Sequence, residues 1–311
     1  IMTSIYMNEL YRQGATSNLK IDREYIALLS ETENLEEFFY IDGITTLDYL
    51  IDNRVLFIDK FSADILQEIN NSNSKSCLFI LPEAYKGRTK KPCLICSNPR
   101  QIFAELVNTL FQYDSIYWIQ NGLIDSSANI DSSSKLMQNV SVGKNSTIGR
   151  NTIIFPNVVI GPNCFVGDNV IIKSNTVIGQ AGFGIYQDDK GYNQHLPHVG
   201  GVIIEDNVEI GAINTVVSGT IHPTVVEKYV KTDDHVHIAH NDYISSGVQI
   251  AAHALLSGSV YVGENAWLGP NITIIDHVDI GKDSFIGSGT NVVKEVDQGS
   301  TVVGNPAKKI R

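Results

Sequence analysis

Residues 148–166 read IGRNTIIFPNVVIGPNCFV. An aliphatic residue stands at Ile148, Ile154, Ile160 and Val166, every sixth position, and Gly follows at 149, 161 and 167. Outward from this stretch the period continues through Ile124, Ile130, Leu136 and Val142 on one side and Ile172 and Ile178 on the other, ten positions without a phase error. A second run of ten is as strict: Ile238, Ile244, Ile250, Leu256, Val262, Leu268, Ile274, Ile280, Ile286 and Val292. Between the runs lie Ile204, Ile210 and Val216, then Val226 after a shift of phase.

A helix repeats every 3.6 residues and a strand every two, so neither sustains period six over such a length. A three-sided solenoid does: each hexad supplies one short strand and one corner, with the aliphatic residue inward. Gly or Asn near the corner is expected to accept unusual backbone angles. Three hexads make a coil of 18 residues, and successive coils pair as parallel strands about 4.8 Å apart. The expected fold is mainly β, a parallel β-helix of hexapeptide repeats over 121–311, preceded by a small α/β domain over 1–120.

Two interruptions stand out. Residues 180–203 leave the repeat and contain Gly182-Phe183-Gly184 and Leu196-Pro197-His198. A long loop inside a rigid solenoid is more often functional than decorative. Ser218 to Val225 forms a shorter bulge. The N-terminal part shows no hexads: apolar runs such as Val55 to Ile58 and Cys77 to Leu81 alternate with helical patterns. One of these follows Asn98-Pro99-Arg100 and carries Phe103, Leu106, Leu110 and Phe111.

Charged residues make up only 18% of the 311, which argues against disorder, and the net charge of −11 disfavours nucleic acid or an anionic membrane as the main partner. No stretch approaches the roughly 18 apolar residues of a membrane span. Ile1 to Leu10 has no basic region followed by an apolar core, so no signal peptide is expected. Cys93 and Cys96 form a lone C-x-x-C without a second ligand pair, and with Cys77 and Cys164 they are read as buried thiols rather than a zinc site. No metal is expected, and the location is read as cytoplasmic and reducing.

A β-helix surface offers few reactive groups, so its histidines attract notice. Eighteen residues after His240 comes Gly258, and eighteen later Asp276, beside His277. One edge of the prism should therefore carry His240, Gly258, Asp276 and His277 in a column, at a position that meets a neighbouring subunit in a trimer. A neutral imidazole suits a general base near neutral pH. A Gly stacked above it lets a substrate carbonyl approach its backbone N–H, which suits acyl transfer. Asp233 and Asp234 are candidates to orient His240 by nearness in sequence.

The sequence from Ile178-Gly179 through Gly182-Phe183-Gly184, Leu196-Pro197, Val208-Glu209-Ile210-Gly211-Ala212 and Ile238-Ala239-His240-Asn241 resembles the UDP-3-O-acylglucosamine N-acyltransferases of lipid A synthesis. The resemblance implies a left-handed β-helix and a homotrimer. It matches His240 to the catalytic base, Gly258 to the oxyanion amide donor and His277 to a second active-site histidine. It also implies an N-terminal nucleotide-binding domain in which Phe57 and Phe61 stand where two aromatic rings grip the base. No permanently bound cofactor is implied; the co-substrate is an acyl-CoA or acyl-carrier-protein thioester, and the acceptor a nucleotide-linked amino sugar.

Some positions depart from that family. Ala181 replaces an acidic residue, and the segment around Phe61 is two residues short, leaving UDP and dTDP both open. The 304–311 stretch, with Lys308 and Lys309, resembles the tail that lines the coenzyme groove of CoA-dependent hexapeptide acetyltransferases. The expectation is a relative that uses a shorter acyl donor for lipopolysaccharide or another surface polysaccharide. Two other classes remain open at this stage. A metal enzyme like the gamma-class carbonic anhydrases would use His235 and His240, spaced H-x4-H, with His222 upstream. A non-catalytic β-helix binding protein would use none of these.

Overall fold

The computed structural model describes residues 15–113 and 122–310. The expected domain boundary at 120/121 and the segment Ile1 to Leu10 lie outside the described residues. Two compact units are present: 15–113 with 183–197, and 122–182 with 198–310.

In the first unit, strands β1 (Thr16–Asp22), β2 (Glu31–Glu33), β3 (Tyr40–Ile44), β4 (Arg54–Phe57), β5 (Leu78–Pro82) and β6 (Cys93–Cys96) form one sheet in the order β1-β3-β4-β5-β6-β2. The β3 to β6 ladder is parallel and the two edge strands are antiparallel. The apolar runs at 55–58 and 77–81 are its central strands, buried because such parallel strands are covered on both faces. Helix Pro99–Phe111 begins as its sequence suggests. Asn98 caps it by accepting the N–H of Gln101 at 3.3 Å, Pro99 fills the first turn, and Phe103, Leu106 and Leu110 are buried. The four cysteines are free and buried, and burial pushes Cys93 up to about 12 and Cys96 to about 11, so these thiols are inert near neutral pH.

The second unit is a three-faced parallel β-helix, with sheets of eight, ten and eight strands. Strands of two or three residues stack in register: Ile153 pairs with Ile171, Ile171 with Glu209 and Glu209 with Lys231. The aliphatic column fills the interior, and Ile154, Ile172, Ile210, Ile238 and Leu268 are all buried. Each such side chain withdrawn from water stabilises the solenoid by about 1.5–3 kcal/mol before chain entropy is charged against it. The threonines buried inside at 152, 176 and 232 are hydrogen-bonded. Thr152 Oγ1, for instance, donates to Gly167 O at 2.8 Å and accepts from Val170 N at 3.1 Å.

The structure divides a role that the sequence assigned jointly to Gly and Asn. The left-handed corner residues are mostly Asn, at 139, 145, 151, 157, 163, 169 and 175 among others. Their side chains form ladders, Asn139 to Asn157 at 3.1 Å and Asn157 to Asn175 at 3.1 Å. The Gly after the aliphatic residue serves another need. A Cβ on Gly149 would fall 2.6 Å from the carbonyl of Gly167, so it is close approach of the next coil that excludes a side chain there.

The interruptions are now explicit. One coil is lengthened from 18 to 38 residues, since Val166 pairs with Ile204. The extra chain forms an antiparallel hairpin of Ile185–Gln187 and Asn193–His195 that belongs to the first unit, where Gln187 O accepts Asn98 Nδ2 at 2.8 Å. Strand structure resumes at Val202, slightly before the expected end of the loop at 203. The next coil holds 22 residues, Ile204 pairing with Val226, and its surplus is the bulge beginning at Ser218.

Candidate active site

The motif Ile238-Ala239-His240-Asn241 occupies a strand end and corner of the β-helix. Ile238 points into the core, and Asn241 takes the left-handed corner with φ 63°. Asn241 Oδ1 accepts Thr220 N at 2.8 Å, and its own N–H donates to Thr224 Oγ1 at 2.9 Å, which ties the 218–223 bulge to this corner. Asp242 is buried and closes the turn, with Oδ2 accepting Ala239 N at 2.8 Å. Its Oδ1 reaches the next coil and accepts Val260 N at 2.9 Å. His240 is thus carried on a turn pinned on both sides.

The 18-residue winding holds here: His237 pairs with Leu255, and Leu255 with Thr273. Ser259 N donates to His240 O at 2.9 Å and His277 N to Gly258 O at 3.2 Å. Gly258 lies on the His240 ring. A Cβ added to it would sit 2.4 Å from Cε1, 2.8 Å from Nε2 and 2.9 Å from Nδ1. The amides on either side of Gly258 are engaged, Ser257 N with Ile274 O and Ser259 N with His240 O. Among the described residues no acceptor takes the N–H of Gly258 itself. Asp276 and His277 stand one coil further, with His277 Nε2 at 4.0 Å from Asp276 Oδ2 and His277 77% exposed, open to a ligand. His277 occupies the corner position with φ 57° that Asn takes elsewhere.

Two neighbours of His240 were missed from sequence. The chain leaves the solenoid after Gly182 and returns at His198, and both ends come back to this ring. A Cβ on Gly182 would fall 2.9 Å from His240 Cδ2 and 3.0 Å from His198 Nε2. His198 is fully buried, with its ring edge-on to His240 at a centroid separation of 5.3 Å. Both residues were visible in the looped-out segment, but an insertion breaks the 18-residue arithmetic that located Gly258.

Burial lowers the pKa of His240 below the usual histidine value of 6.5, His277 and His237 push the same way, and Asp276 opposes them. His237, two residues back, is also lowered by burial and shares a hydrogen bond with Thr215 Oγ1 at 2.5 Å. The two aspartates proposed to orient His240 do not do so. Asp234 Oδ1 accepts Ala212 N at 2.7 Å and Asp233 Oδ1 accepts Asp234 N at 2.9 Å, both at the preceding corner.

Lys308 and Lys309 form the last strand, antiparallel to Thr301–Val303, on the face that contains neither His237–Ile238 nor Tyr243–Ile244. Lys309 Nζ pairs with Asp297 at 3.2 Å. Phe57 packs on Phe103 and Phe61 on Tyr85, each with centroids 4.8 Å apart, while Arg100 and Arg88 lie over the two rings. A cavity of about 360 Å³ in the first unit, bordered by Glu31, Glu83, Lys86 and Asn98, is lined by neither ring. His235 belongs to a different corner from His240 and stacks on His253 at 4.7 Å, so the H-x4-H pair does not converge within one chain. Among the described residues no three His, Cys, Asp or Glu side chains cluster as a metal site.

These repeats define a hexapeptide-repeat, left-handed parallel β-helix. The bacterial transferase hexapeptide family (six repeats) matches residues 145–180 and 259–294. The UDP-3-O-acylglucosamine N-acyltransferase of Coxiella burnetii is 49% identical over 83 residues, 27% of this chain and 24% of that protein. The enzyme of the same name from Christiangramia forsetii is 43% identical over 83 residues, again 27% and 24%. The chain thus spans about a quarter of the length of these curated relatives. A solved UDP-N-acetylglucosamine acyltransferase from Francisella novicida superposes with a TM-score of 0.53 at 27% identity, covering 61% of this chain and 68% of that one. The resemblance to UDP-3-O-acylglucosamine N-acyltransferases read from the sequence is borne out over the matched segment.

Proposed function

We propose that this protein is an N-acyltransferase that moves an acyl group from a thioester to the amine of a nucleotide-linked amino sugar, for lipopolysaccharide or a related surface polysaccharide. The observation that carries it is the stacking of Gly258, whose N–H has no acceptor among the described residues, on the imidazole of His240. The names of the relatives support the same class of substrate.

The chemistry needs no covalent enzyme intermediate. The sugar amine attacks the thioester carbonyl and the C–N bond forms while His240 takes the amine proton. The carbonyl oxygen, now an oxyanion, accepts the Gly258 N–H. The C–S bond then breaks, and the imidazolium returns its proton to the leaving thiolate, giving the amide and the free thiol. His277 contacts the donor or the intermediate from the next coil. Phe57 and Phe61 hold the nucleotide base, and Lys308 and Lys309 meet phosphates of the donor. The donor is an acyl-CoA or an acyl carrier protein, the active form is a homotrimer in which a second chain closes the His240 edge, and the location is cytoplasmic. No helix among the described residues is long and apolar enough to cross a membrane.

The test is an assay of thiol release from acetyl-CoA, 3-hydroxybutyryl-CoA and an acyl carrier protein thioester, each with UDP- and dTDP-linked amino sugars. Thiol release that depends on the sugar, with a matching mass gain on its nitrogen, is expected for one combination. Hydrolysis without sugar acylation across the whole set would reject the reading.

A further inference from the structure

The general bases of many hydrolases and transferases are histidines steadied by a carboxylate, and among the described residues none takes that role for His240. Asp242 spends both oxygens on the amides of Ala239 and Val260. Asp276 is 69% exposed and nearer to His277, and Asp233 and Asp234 are engaged at another corner. His237 shares its Nδ1 with Thr215. The group packed against the buried side of the His240 ring is His198.

The separation of the two rings is that of a hydrogen-bonded pair. Two imidazoles joined in line by an N–H···N hydrogen bond have centroids separated by the bond plus one ring radius at each end, about 5.3 Å in all. The observed separation is 5.3 Å. His240 Nδ1 is buried with no hydrogen-bond partner among the described residues, a state that costs about 1–3 kcal/mol. Its Cδ2, in contrast, borders Gly182 together with His198 Nε2, 2.9 and 3.0 Å from the position of the missing Cβ. A half-turn of the His240 ring about Cβ–Cγ exchanges Nδ1 with Cδ2. The ring outline is unchanged, so its packing between Gly182 and Gly258 is kept, and Nδ1 is brought to the side of His198.

We propose that His198 is the positioning residue for His240, accepting its Nδ1–H through Nε2 in a histidine–histidine pair. Such a bond fixes the tautomer: with the proton on Nδ1, the lone pair of His240 Nε2 is free to take the proton of the attacking amine. The pair also explains why position 182 is glycine, since any side chain there would wedge the two rings apart. The titratable groups facing His240 are then His198 on the buried side, His237 on its own strand, and Asp276 and His277 along the column.

This inference rests on the acyltransferase reading for its purpose but not for its test. Nitrogen-15 NMR of the histidine-labelled full chain, with His240 assigned by its loss in His240→Gln, reports which ring nitrogen carries the proton. In the wild type above pH 7 the proton is expected on Nδ1. His198→Phe should move it to Nε2, and His198→Gln, whose amide oxygen can accept the same bond, should return it to Nδ1. A wild-type His240 protonated on Nε2 overturns the proposal even if the Phe variant fails to fold, and so does a folded Phe variant with an unchanged tautomer. If sugar acylation is detected, kcat should fall about 10²-fold in His198→Phe, within the contribution of a correctly protonated base, and recover substantially in His198→Gln. An Nδ1–H tautomer that depends on His198 in a chain that acylates no amino sugar would retain the pair and reject the reading.

Discussion

Gly258 and His240 are in contact across one turn of the solenoid, glycine backbone on imidazole face. Replacing Gly258 with Ala puts a methyl 2.4 Å from Cε1, and something must give. The obstructing atom belongs to a side chain, so the ring turns aside and the coil remains. The expected outcome for Gly258→Ala is a loss of about 10²-fold in kcat, the scale of a misplacement near 1 Å, with an unchanged thermal transition. A variant that unfolds instead would mean the ring is locked more tightly than the backbone around it.

His240→Ala removes the base and leaves Gly258 N–H in place. Turnover should fall by about 10²–10⁴-fold, with KM for the sugar changing little. Circular dichroism should be unaltered, since Ile238 and Asp242, which hold the corner, are untouched. Wild-type turnover in this variant would place the chemistry elsewhere.

The pH dependence follows from the same environment. Burial, with His277 and His237, holds His240 below 6.5, so it is a neutral base at pH 7. The rate constant kcat/KM should be flat above that pH and fall as His240 gains its proton in acid. Asp276 favours the charged ring, so Asp276→Asn should move the acid limb to lower pH. A limb that moves upward would show that Asp276 acts through some other group. For folding, the sign is opposite to that of a salt-bridged histidine. The unfolded chain takes up this proton near 6.5 and the folded chain only at lower pH, so His240 makes stability fall as pH drops below 6.5.

The β-helix was legible because its signal is redundant: twenty hexad positions repeat one physical demand, an aliphatic residue facing a shared interior. The His240–Gly258 stack was legible for the same reason, since uninterrupted coils turn a sequence separation of 18 into contact. What the sequence hid falls where that rule lapses. His198 and Gly182 reach His240 across a coil of 38 residues, and no periodicity connects 182 or 198 with 240. Asp242 went unnoticed because a polar residue at a corner is ordinary; only its two amide partners distinguish it. The H-x4-H spacing of His235 and His240 does not bring the two together within one chain, because five residues on a hexad coil carry the chain to the next corner.

Asp242 links the turn bearing His240 to the one bearing Gly258, and the site should therefore depend on it without touching it chemically. Its two oxygens take the amides of Ala239 and Val260, and it is buried. Asp242→Ala leaves both N–H groups without acceptors, a loss of about 2–6 kcal/mol in urea unfolding at about 1–3 kcal/mol per orphaned group. Asp242→Asn keeps one acceptor and should lose about half as much. Burial raises the carboxyl of Asp242 well above its usual value. The stability it gains by holding its proton in the fold is present below the unfolded value of 3.8 and is lost as pH rises through the folded pKa. Asn has no proton to lose, so the advantage of the wild type over Asp242→Asn should shrink as pH rises over that interval. A difference that widens instead would mean the ionised carboxylate, held by its two amides, is the favoured state. In either variant kcat should fall more than the loss of folded protein accounts for, because the stack of Gly258 on His240 relies on both turns keeping their register.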